Sequence, residues 1–483
     1  MTKKTQDLTS WYDQLLVKAK LICHGEVKGT VCFLNNSWGL WMEIQQLYND
    51  AIANKNQLSA IALTKFQPTT SFCYQVFQVQ LPTLSFYSEY QKEKTHIKGF
   101  NPELFLINQV GQKQLNDPLV LRPTSEIAFC NLWKKQELSY HDLPLIYNQW
   151  TQVFRAEKNT RPFLRNSEFY WQETHGLFVN QSQSEQAAIS FWNLYQDLII
   201  NKLCIPAFVG LKSESEKFAG AKNTWTIEAI MPDGQSLQCA TSHDLSDTFT
   251  KSFTISYQSK TNQKMTPSSF SCGMSTRILG AIFLTHSDDY GLVLPWYLAS
   301  KQVKLYLFDK NNNPKTRALA FLVKDFLEKL KIRFSFIEIN NQLGKQLLKG
   351  EIEGIPLQMI VDNEKTINIF NRLTRLKTSL TFANLQTEFV NLVENYHTEM
   401  YRKANDLVEQ KLARVQTLKE IEQAFKNKKA VLCTVKLTGE LEQHLKTKYQ
   451  VSVRCFFKKS DVTQNCPFTN QPCFDSVLIA RAY

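Results

Sequence analysis

The chain has 483 residues, which is too long for one hydrophobic core and predicts two to four domains. Hydrophobic residues make up 43% of it and charged residues 21%, proportions that are ordinary for a soluble globular protein and argue against disorder. The net charge is +12, with 26 Lys and Arg against 25 Asp and Glu in residues 1–300 but 30 against 19 in residues 301–483.

The uneven charge indicates what the C-terminal part meets. Excess cations fit a polyanionic partner, most simply a nucleic acid backbone, while a basic surface that serves only solubility is the alternative. No window approaches the ~20 apolar residues of a membrane span, and no apolar block follows the N-terminal lysines. We therefore expect a cytoplasmic protein without membrane contact. Its eleven scattered cysteines are expected to be free thiols.

The N-terminal third alternates between helical and extended patterns. Apolar residues recur at helical spacing from Trp11 to Ala19 and from Trp38 to Tyr48, with a short strand predicted at 27–33 between them. Residues 76–82 alternate like an edge strand that ends at a proline. The run 119–126 predicts a strand and then a helix with Thr124 as its N-cap, and capping alone would explain these residues.

A densely charged hairpin is predicted next. Residues 150–155 alternate like a half-buried strand, 158–162 have turn chemistry, and 168–172 resume an extended apolar pattern. In a strand, Arg155 and Glu157 would share one face because they are two residues apart. A solvated hairpin with surface ion pairs is the alternative.

Further strands and a helix follow the hairpin. Residues 224–229 and 237–243 predict two strands around a turn at 231–234, and a helix is predicted after a small-residue turn at 271–275. From 301 onward, four strands are predicted at 303–308, 334–339, 357–361 and 367–370, with helices at 314–330 and 343–348. This alternation predicts an α/β domain with a largely parallel sheet. A long helix is expected over about 381–428.

The charged hairpin also carries a resemblance to a known family. Its residues are Phe154-Arg155-x-Glu157, Arg161-Pro162-Phe163-Leu164-Arg165 and Glu168-Phe169-x-Trp171-Gln172-Glu173-x-His175. They resemble motif 2 of class II aminoacyl-tRNA synthetases, in the form found in prolyl-tRNA synthetases. Residues 122–126 are similar to a segment beside the amino-acid pocket of that family, and residues 271–295 resemble its motif 3.

The resemblance implies an α+β fold. A class II catalytic domain with an antiparallel sheet is expected in residues 1–298, an α/β anticodon-binding domain in 299–400, and a small α+β domain in 401–483. The helix, strand and Pro82 of the N-terminal region would form motif 1, which builds a homodimer interface in this family. The ending at Tyr483 matches a branch whose terminal tyrosine turns toward the active site.

Members of that branch often hold zinc through four cysteines. Four candidates are present, namely Cys433, Cys455, Cys466 and Cys473. They lack the close Cys-x2-Cys or Cys-x4-Cys pairs of a closed zinc site, so we expect no zinc. Only 95 residues separate His175 from Ser271, which leaves no room for an editing insertion.

The implied reaction joins L-proline to ATP as prolyl-adenylate and then transfers the prolyl group to tRNA(Pro). Arg155 and Arg277 would be the catalytic residues, because a permanently charged, forked guanidinium suits phosphate. ATP, with Mg²⁺, would be bound by Arg155, Glu157, Gln238, Thr241, Ser275 and Arg277. Proline would be bound by Thr124, Glu126, Arg155, Trp171, Glu173, His175 and His243. A lone histidine such as His243 is otherwise more often structural.

The tRNA would be contacted by Arg372, Arg375 and Lys377, for which surface solubility is the alternative. Two other functions stay open. One is a synthetase for another small amino acid on the same scaffold. The other is a catalytically silent relative that binds tRNA, and the presence of Arg155, Glu157 and Arg277 speaks against it.

Overall fold

The computed structural model describes residues 2–53, 72–96, 104–457 and 464–483. Strands and helices occupy similar shares of the described part of the first 300 residues. In chain order the elements are α1 (Leu8–Lys18), β1 (Ile22–His24), β2 (Val31–Phe33), α2 (Asn35–Ile52), β3 (Phe77–Gln78), β4 (Leu84–Phe86), α3 (Tyr87–His96), β5 (Phe105–Val110), β6 (Lys113–Leu121), α4 (Glu126–Lys134), β7 (Leu138–Ser139), β8 (Leu145–Phe154), β9 (Glu168–Phe178), α5 (Gln181–Gln196), β10 (Ala207–Leu211), β11 (Asn223–Ile230), β12 (Ser236–Ser246), α6 (Thr248–Ser252), β13 (Tyr257–Gln258), β14 (Lys264–Met265), β15 (Ser268–Ser275) and α7 (Arg277–His286).

An antiparallel sheet runs through the centre of this part, in the order β10-β11-β12-β15-β9-β8. Its two faces differ in chemistry because successive side chains of a strand point to opposite sides. On β11, Trp225, Ile227 and Ala229 belong to the hydrophobic core, which α1, α2, α5 and α7 complete. Thr224 and Thr226, which alternate with them, are buried polar residues on the other face. The predicted α+β class and the antiparallel catalytic sheet are confirmed.

The charged hairpin forms β8 and β9, paired from Leu145↔Leu177 to Phe154↔Glu168. The strand ends one residue earlier than predicted, so Arg155 and Glu157 do not share a strand face. A bond from the Glu157 amide to the Arg155 carbonyl, 2.8 Å long, turns the chain immediately after the strand. This tight turn, rather than strand alternation, aims the two side chains.

Two other local predictions need correction. The segment 271–275 is not a turn before a helix but the end of β15, which lies between β12 and β9. Pairing with both neighbours outweighs the weak strand preference of its small residues. The helix after β6 begins at Glu126, and its N-cap is Ser125 rather than Thr124. The Thr124 hydroxyl donates instead to the Glu126 carboxylate.

The second part of the chain is an α/β unit. Its elements are β16 (Val303–Phe308), α8 (Pro314–Lys329), β17 (Phe334–Ile339), α9 (Leu343–Ile352), β18 (Leu357–Val361), β19 (Ile367–Asn371), β20 (Lys377–Leu380) and α10 (Phe382–Lys411). The predicted strands and helices are confirmed in their order. The sheet has the order β17-β16-β18-β19-β20, and only its first three strands are parallel, so it is mixed rather than largely parallel.

The last part continues the central sheet. Its elements are β21 (Leu412–Arg414), α11 (Leu418–Lys426), β22 (Ala430–Val435), α12 (Gly439–His444), β23 (Ser452–Phe456), β24 (Gln464–Asn465), β25 (Pro472–Cys473) and β26 (Asp475–Ala480). The long helix predicted to 428 therefore stops at Lys411, because the next residues pair with β22. Strands β21-β22-β26-β23 extend the sheet through one pair, Leu211↔Phe456.

No helix in the described ranges combines the length and the hydrophobicity that a membrane span requires.

Candidate active site

A cavity of about 250 Å³ opens on the polar face of the central sheet. Strands β9, β11, β12 and β15 supply its floor, and loops around residues 124 and 216 supply its walls. Eleven residues predicted from the sequence line it, namely Thr124, Glu126, Arg155, Trp171, Glu173, His175, Gln238, Thr241, His243, Ser275 and Arg277. The segments that carry them are far apart in the chain, so the fold alone brings them together.

Arg155 and Arg277 lie close together at one end of the cavity. Each is anchored through its Nε, from Arg155 to the Pro123 carbonyl (3.2 Å) and from Arg277 to the Leu164 carbonyl (2.9 Å). Removal from water and the nearby cations, Arg155 first, lower the pKa of Arg277 to about 10. Removal from water also lowers the pKa of Arg155. Both guanidinium groups remain charged at neutral pH, so this end of the cavity suits a polyanion.

Two aromatic rings contact the guanidinium group of Arg155. The Arg155 guanidinium lies 5.6 Å from the Phe169 ring centre and 5.5 Å from that of Trp171. Such contacts attract a cation electrostatically without neutralising it. The side chain therefore keeps its charge available to a ligand.

A buried carboxylate lies on the floor of the other end. Glu173 Oε1 accepts hydrogen bonds from Ser125 Oγ (2.5 Å) and Gln149 Nε2 (2.7 Å), and Oε2 lies 3.2 Å from His175 Nε2. Burial by itself would raise the pKa of Glu173, but these partners outweigh it and hold the pKa below its usual value. The His175 ring is in turn stacked on Phe129, with 4.1 Å between ring centres.

His243 lies at the same end of the cavity but, unlike Glu173, is held in its uncharged form. Its Nδ1 lies 3.0 Å from Thr224 Oγ1, and its ring is 4.7 Å from that of Phe218. Burial, assisted by nearby His175, lowers the pKa of His243 to about 3. The imidazole is therefore neutral at physiological pH and adds no positive charge to the pocket.

Glu157 is not among the cavity-lining residues. Its carboxylate pairs with Arg165, with 3.0 Å between Oε2 and Nε. The pair lies in the loop between β8 and β9, beside the arginine end of the cavity.

The three predicted tRNA contacts differ in accessibility. Arg372 is fully buried and binds Asp288 through two nitrogens, at 2.9 and 2.6 Å, so its prediction as an RNA contact is wrong for this conformation. Arg375 is exposed, pairs with Glu351 (2.9 Å) and stacks 3.3 Å from the Tyr290 ring centre. Lys377 is exposed on β20.

Tyr483 turns back toward the catalytic sheet. Its hydroxyl donates to Asp233 Oδ2 (2.7 Å), and its amide donates to the Ser236 carbonyl (3.1 Å). Its ring centre lies 6.0 Å from the Arg161 guanidinium of the hairpin loop. Tyr483 thus contacts elements that build the cavity but does not line it.

The four C-terminal cysteines occupy two separate parts of the core. Cys433, Cys466 and Cys473 belong to one hydrophobic cluster and Cys455 to another. Within the described ranges, no three His, Cys, Asp or Glu side chains are arranged as metal ligands.

Several cavity residues were missed by the sequence reasoning. They are Phe169, Glu216, Phe218, Thr224, Cys239, Ala240, Ser271, Cys272, Gly273 and Met274. Strand alternation with Trp171, His243 and Ser275 predicts some of them, because every second residue of a lining strand faces the cavity. Glu216 and Phe218 lie on a loop, for which no such periodicity exists.

Comparisons with known proteins identify the family. Residues 107–286 match the family model of the class II tRNA synthetase core domain (G, H, P, S and T). The chain is 99% identical to a proline–tRNA ligase of Mycoplasma genitalium and 65% identical to that of Mycoplasma pneumoniae, each over the full length of both chains. A proline–tRNA ligase of Malacoplasma penetrans is 39% identical and covers 100% of this chain and 99% of its own.

Solved structures agree with these relatives. A prolyl-tRNA synthetase from Cryptosporidium parvum, in complex with halofuginone and AMPPNP, matches with a TM-score of 0.89 and 25% identity, over 100% of this chain and 97% of that one. The full-length identity to the curated relatives goes well beyond similarity of fold. The chain therefore belongs to the proline–tRNA ligases, a family of class II aminoacyl-tRNA synthetases.

Proposed function

We propose that this chain activates L-proline with ATP to form prolyl-adenylate and then transfers the prolyl group to tRNA(Pro). One observation carries the proposal. A single small cavity has two charged guanidinium groups at one end and, at the other, a pocket with a fixed carboxylate and a neutral imidazole. The arginine end suits the phosphates of a nucleoside triphosphate, and the other end suits a small amino acid with its ammonium group.

The first step needs positioning more than proton transfer. A proline carboxylate oxygen attacks the α-phosphorus of ATP, and the bond to the leaving pyrophosphate breaks. Two anions must approach in line while negative charge builds on the α-phosphate. Arg155 lies at the arginine end but is also near Glu126 and Glu173 of the other end, so it would bind both the carboxylate and the α-phosphate. Arg277 would bind the far face of the nucleotide or its γ-phosphate.

The proline end is suited to a secondary ammonium. Glu126 and Thr124 are hydrogen-bonded to each other and line the cavity, where they would accept from the proline nitrogen. Trp171 and His175 would enclose the apolar ring, and the anionic Glu173 would add to the field that favours a cation. The neutral His243 avoids repulsion of the ammonium.

The remaining ATP contacts follow from position. Gln238, Thr241 and Ser275 lie on adjoining strands of the floor, next to Arg277. Glu157, beside the arginine end, would bind the adenine. ATP would arrive as its Mg²⁺ complex, in which phosphate oxygens commonly supply several of the metal's ligands.

Transfer to tRNA involves the rest of the chain. The terminal ribose hydroxyl attacks the acyl carbonyl of prolyl-adenylate, and AMP leaves. Residues 299–400 would be the anticodon-binding domain, with Arg375 and Lys377 as contacts, and residues 401–483 the C-terminal domain. Because tRNA charging serves translation, we place the protein in the cytoplasm.

A homodimer is proposed from the surface near Pro82. Large apolar residues on both sides of Pro82 are exposed, namely Phe77 on β3 and Leu84 and Phe86 on β4. Grouped exposure of this kind is typical of an interaction site. Strand β3 lies within the segment that resembles motif 1, and β4 follows it directly.

ATP–pyrophosphate exchange with a panel of amino acids tests the function. We expect proline to stimulate exchange, and Arg155→Ala to reduce kcat roughly 10²- to 10³-fold because an aimed charge on the reacting phosphate is lost. Arg317→Ala, which removes an exposed arginine on α8, is the matched control. Exchange that depends on threonine or glycine instead would overturn the substrate assignment, and no exchange with any amino acid would overturn the activity.

A further inference from the structure

A buried carboxylate beneath the cavity has no part in the mechanism above. Glu228, on β11, is 0% exposed. Its Oε1 accepts from Lys212 Nζ (2.8 Å) and Thr226 Oγ1 (2.9 Å), and its Oε2 accepts from Ser236 Oγ (2.6 Å) and Arg454 Nε (3.2 Å). Burial alone would raise the pKa of Glu228, but Lys212 and Arg454 outweigh it and lower the pKa. The group is therefore an anion at neutral pH.

This anion fixes the direction of a hydrogen-bond chain. A carboxylate can only accept, so the Thr226 hydroxyl must donate its one proton to Glu228. The hydroxyl oxygen is then left as an acceptor, and Gln238 Nε2 lies 3.3 Å from it. Turning the Gln238 amide around would set its oxygen against the lone pairs of Thr226. The amide oxygen of Gln238 is thus the group left to face the cavity.

This hydrogen-bond chain begins in the C-terminal unit, residues 412–483, outside the catalytic part of the molecule. Arg454 lies on β23, in the C-terminal unit, and its Nη1 is also 3.6 Å from Glu216 Oε2. Glu216 lines the cavity wall, while Gln238 lies opposite Glu228 in the sheet. One side chain of the C-terminal unit therefore holds both the floor and the wall of the cavity.

We propose that Arg454 is a positioning residue for ATP: it holds Glu228, which through Thr226 orients the Gln238 amide so that its oxygen accepts from a donor on the nucleotide. The proposal rests on the proposed function, because it takes ATP as the ligand of the arginine end. It gives the C-terminal unit a part in nucleotide binding, although that unit does not line the cavity.

The test is steady-state ATP–pyrophosphate exchange with the full chain. We expect Thr226→Val, which keeps the branched shape but removes the hydroxyl, to raise KM for ATP roughly 3- to 10-fold, the effect of one lost hydrogen bond. KM for proline should stay within about twofold of its original value. Thr226→Ser, which retains the hydroxyl, should stay close to the unmodified chain.

Arg454 is tested by the same readout. Arg454→Met should raise KM for ATP but not KM for proline. Arg454→Lys, which keeps a cation, should have a KM for ATP close to that of the unmodified chain. In a Gln238→Ala background Arg454→Met should have little further effect on KM for ATP, because both substitutions interrupt the same hydrogen-bond chain. Active-site titration gives the folded fraction of each variant. If Arg454→Met does not fold, the comparison of Thr226→Val with Thr226→Ser tests the proposal, because neither substitution changes a charge.

Three outcomes would overturn the proposal: an unchanged KM for ATP in Thr226→Val, equal increases in KM for ATP and proline, or additive effects of Arg454→Met and Gln238→Ala. Failure of the proposed function is seen separately, since it appears as absent proline-dependent exchange in the unmodified chain.

Discussion

At the scale of single residues, one physical effect gives two kinds of basic side chain opposite roles. Removal from water disfavours the charged form of both. It lowers the pKa of Arg277 to about 10, which still leaves the guanidinium charged at neutral pH. It lowers the pKa of His243 to about 3, which makes the imidazole neutral. The same cavity therefore holds permanent cations and an uncharged imidazole, which suits the phosphates and the ammonium of the proposed substrates.

The neutral state of His243 predicts a pH dependence of stability. Its folded pKa of about 3 lies below the unfolded value near 6.5, so the unfolded chain binds more protons between these pH values. Stability should be lost as pH falls from about 6.5, and this loss should be smaller in His243→Asn by about 2 kcal/mol between pH 7 and pH 5. The measurement is the free energy of unfolding from urea titrations at both pH values.

His286 and His397, whose pKa values burial lowers to about 4, contribute in the same direction. They are present in both proteins, so their contribution cancels in the difference. Equal pH dependence in the two proteins would show that His243 is not held neutral.

At the scale of elements, the turn between β11 and β12 joins the catalytic sheet to the C-terminal unit. Gly234 in this turn has φ +81°, and a Cβ there would lie 1.8 Å from the Lys428 carbonyl oxygen. Asp233, one residue earlier, accepts from the Tyr483 hydroxyl. Two distant parts of the chain are thus packed against a turn that only glycine fits.

Gly234→Ala should therefore destabilise the protein by about 2 kcal/mol or more, since it combines a left-handed backbone with a backbone clash. Thermal unfolding of the full chain is the measurement. Gly344→Ala is the matched control, because nothing lies within 4 Å of a Cβ at that position of α9. It should be neutral or slightly stabilising through helix propensity, and a similar melting temperature for both variants would contradict the packing argument.

At the scale of the whole molecule, catalytic and C-terminal strands share one sheet, and an ion pair with a buried arginine links the α/β unit to the catalytic part. Arg372 joins Asp288, just after α7, to the end of β19. Unpairing a buried charge is strongly destabilising. Arg372 therefore fixes the position of the α/β unit, whereas the exposed Lys377 is free to serve as a surface contact.

Lys377→Ala should weaken aminoacylation without changing amino-acid activation. One lost phosphate contact should raise KM for tRNA several-fold. It should also reduce the slope of the logarithm of the tRNA binding constant against the logarithm of salt concentration by about one. Proline-dependent exchange needs no tRNA and should be unaffected. Lys264→Ala, at an exposed position on β14, is the control. An equal effect of both variants on KM for tRNA would remove Lys377 from the RNA contact surface.

Phe86→Glu should dissociate the proposed homodimer. Phe86 is 56% exposed, two residues from the exposed Leu84 on β4, and a carboxylate at a buried interface has no partner. Light scattering after gel filtration should give the mass of a dimer for the unmodified chain and of a monomer for the variant. Phe474→Glu, at an exposed phenylalanine of the C-terminal unit, should leave the mass unchanged. A monomeric unmodified chain would contradict the dimer.

The sequence by itself determined the features that depend on neighbouring residues. Apolar spacing is a local property, so it located α1, α2 and the strands β8, β9, β11 and β12. The resemblance to synthetase motifs implied that Arg155, Trp171, Glu173, His175 and Arg277 belong to one site, and all five line one cavity. Such patterns survive because each element must present one face to the core.

Tertiary structure decided what depends on partners far away in the chain. Arg372 resembled a surface cation until Asp288 was placed beside it, and β15 resembled a turn until two strands flanked it. Glu228 and Arg454 are 226 residues apart, and no local pattern connects them. The physical reason is that burial and ion pairing depend on which distant segments the fold brings together, whereas periodicity depends only on residues within one element.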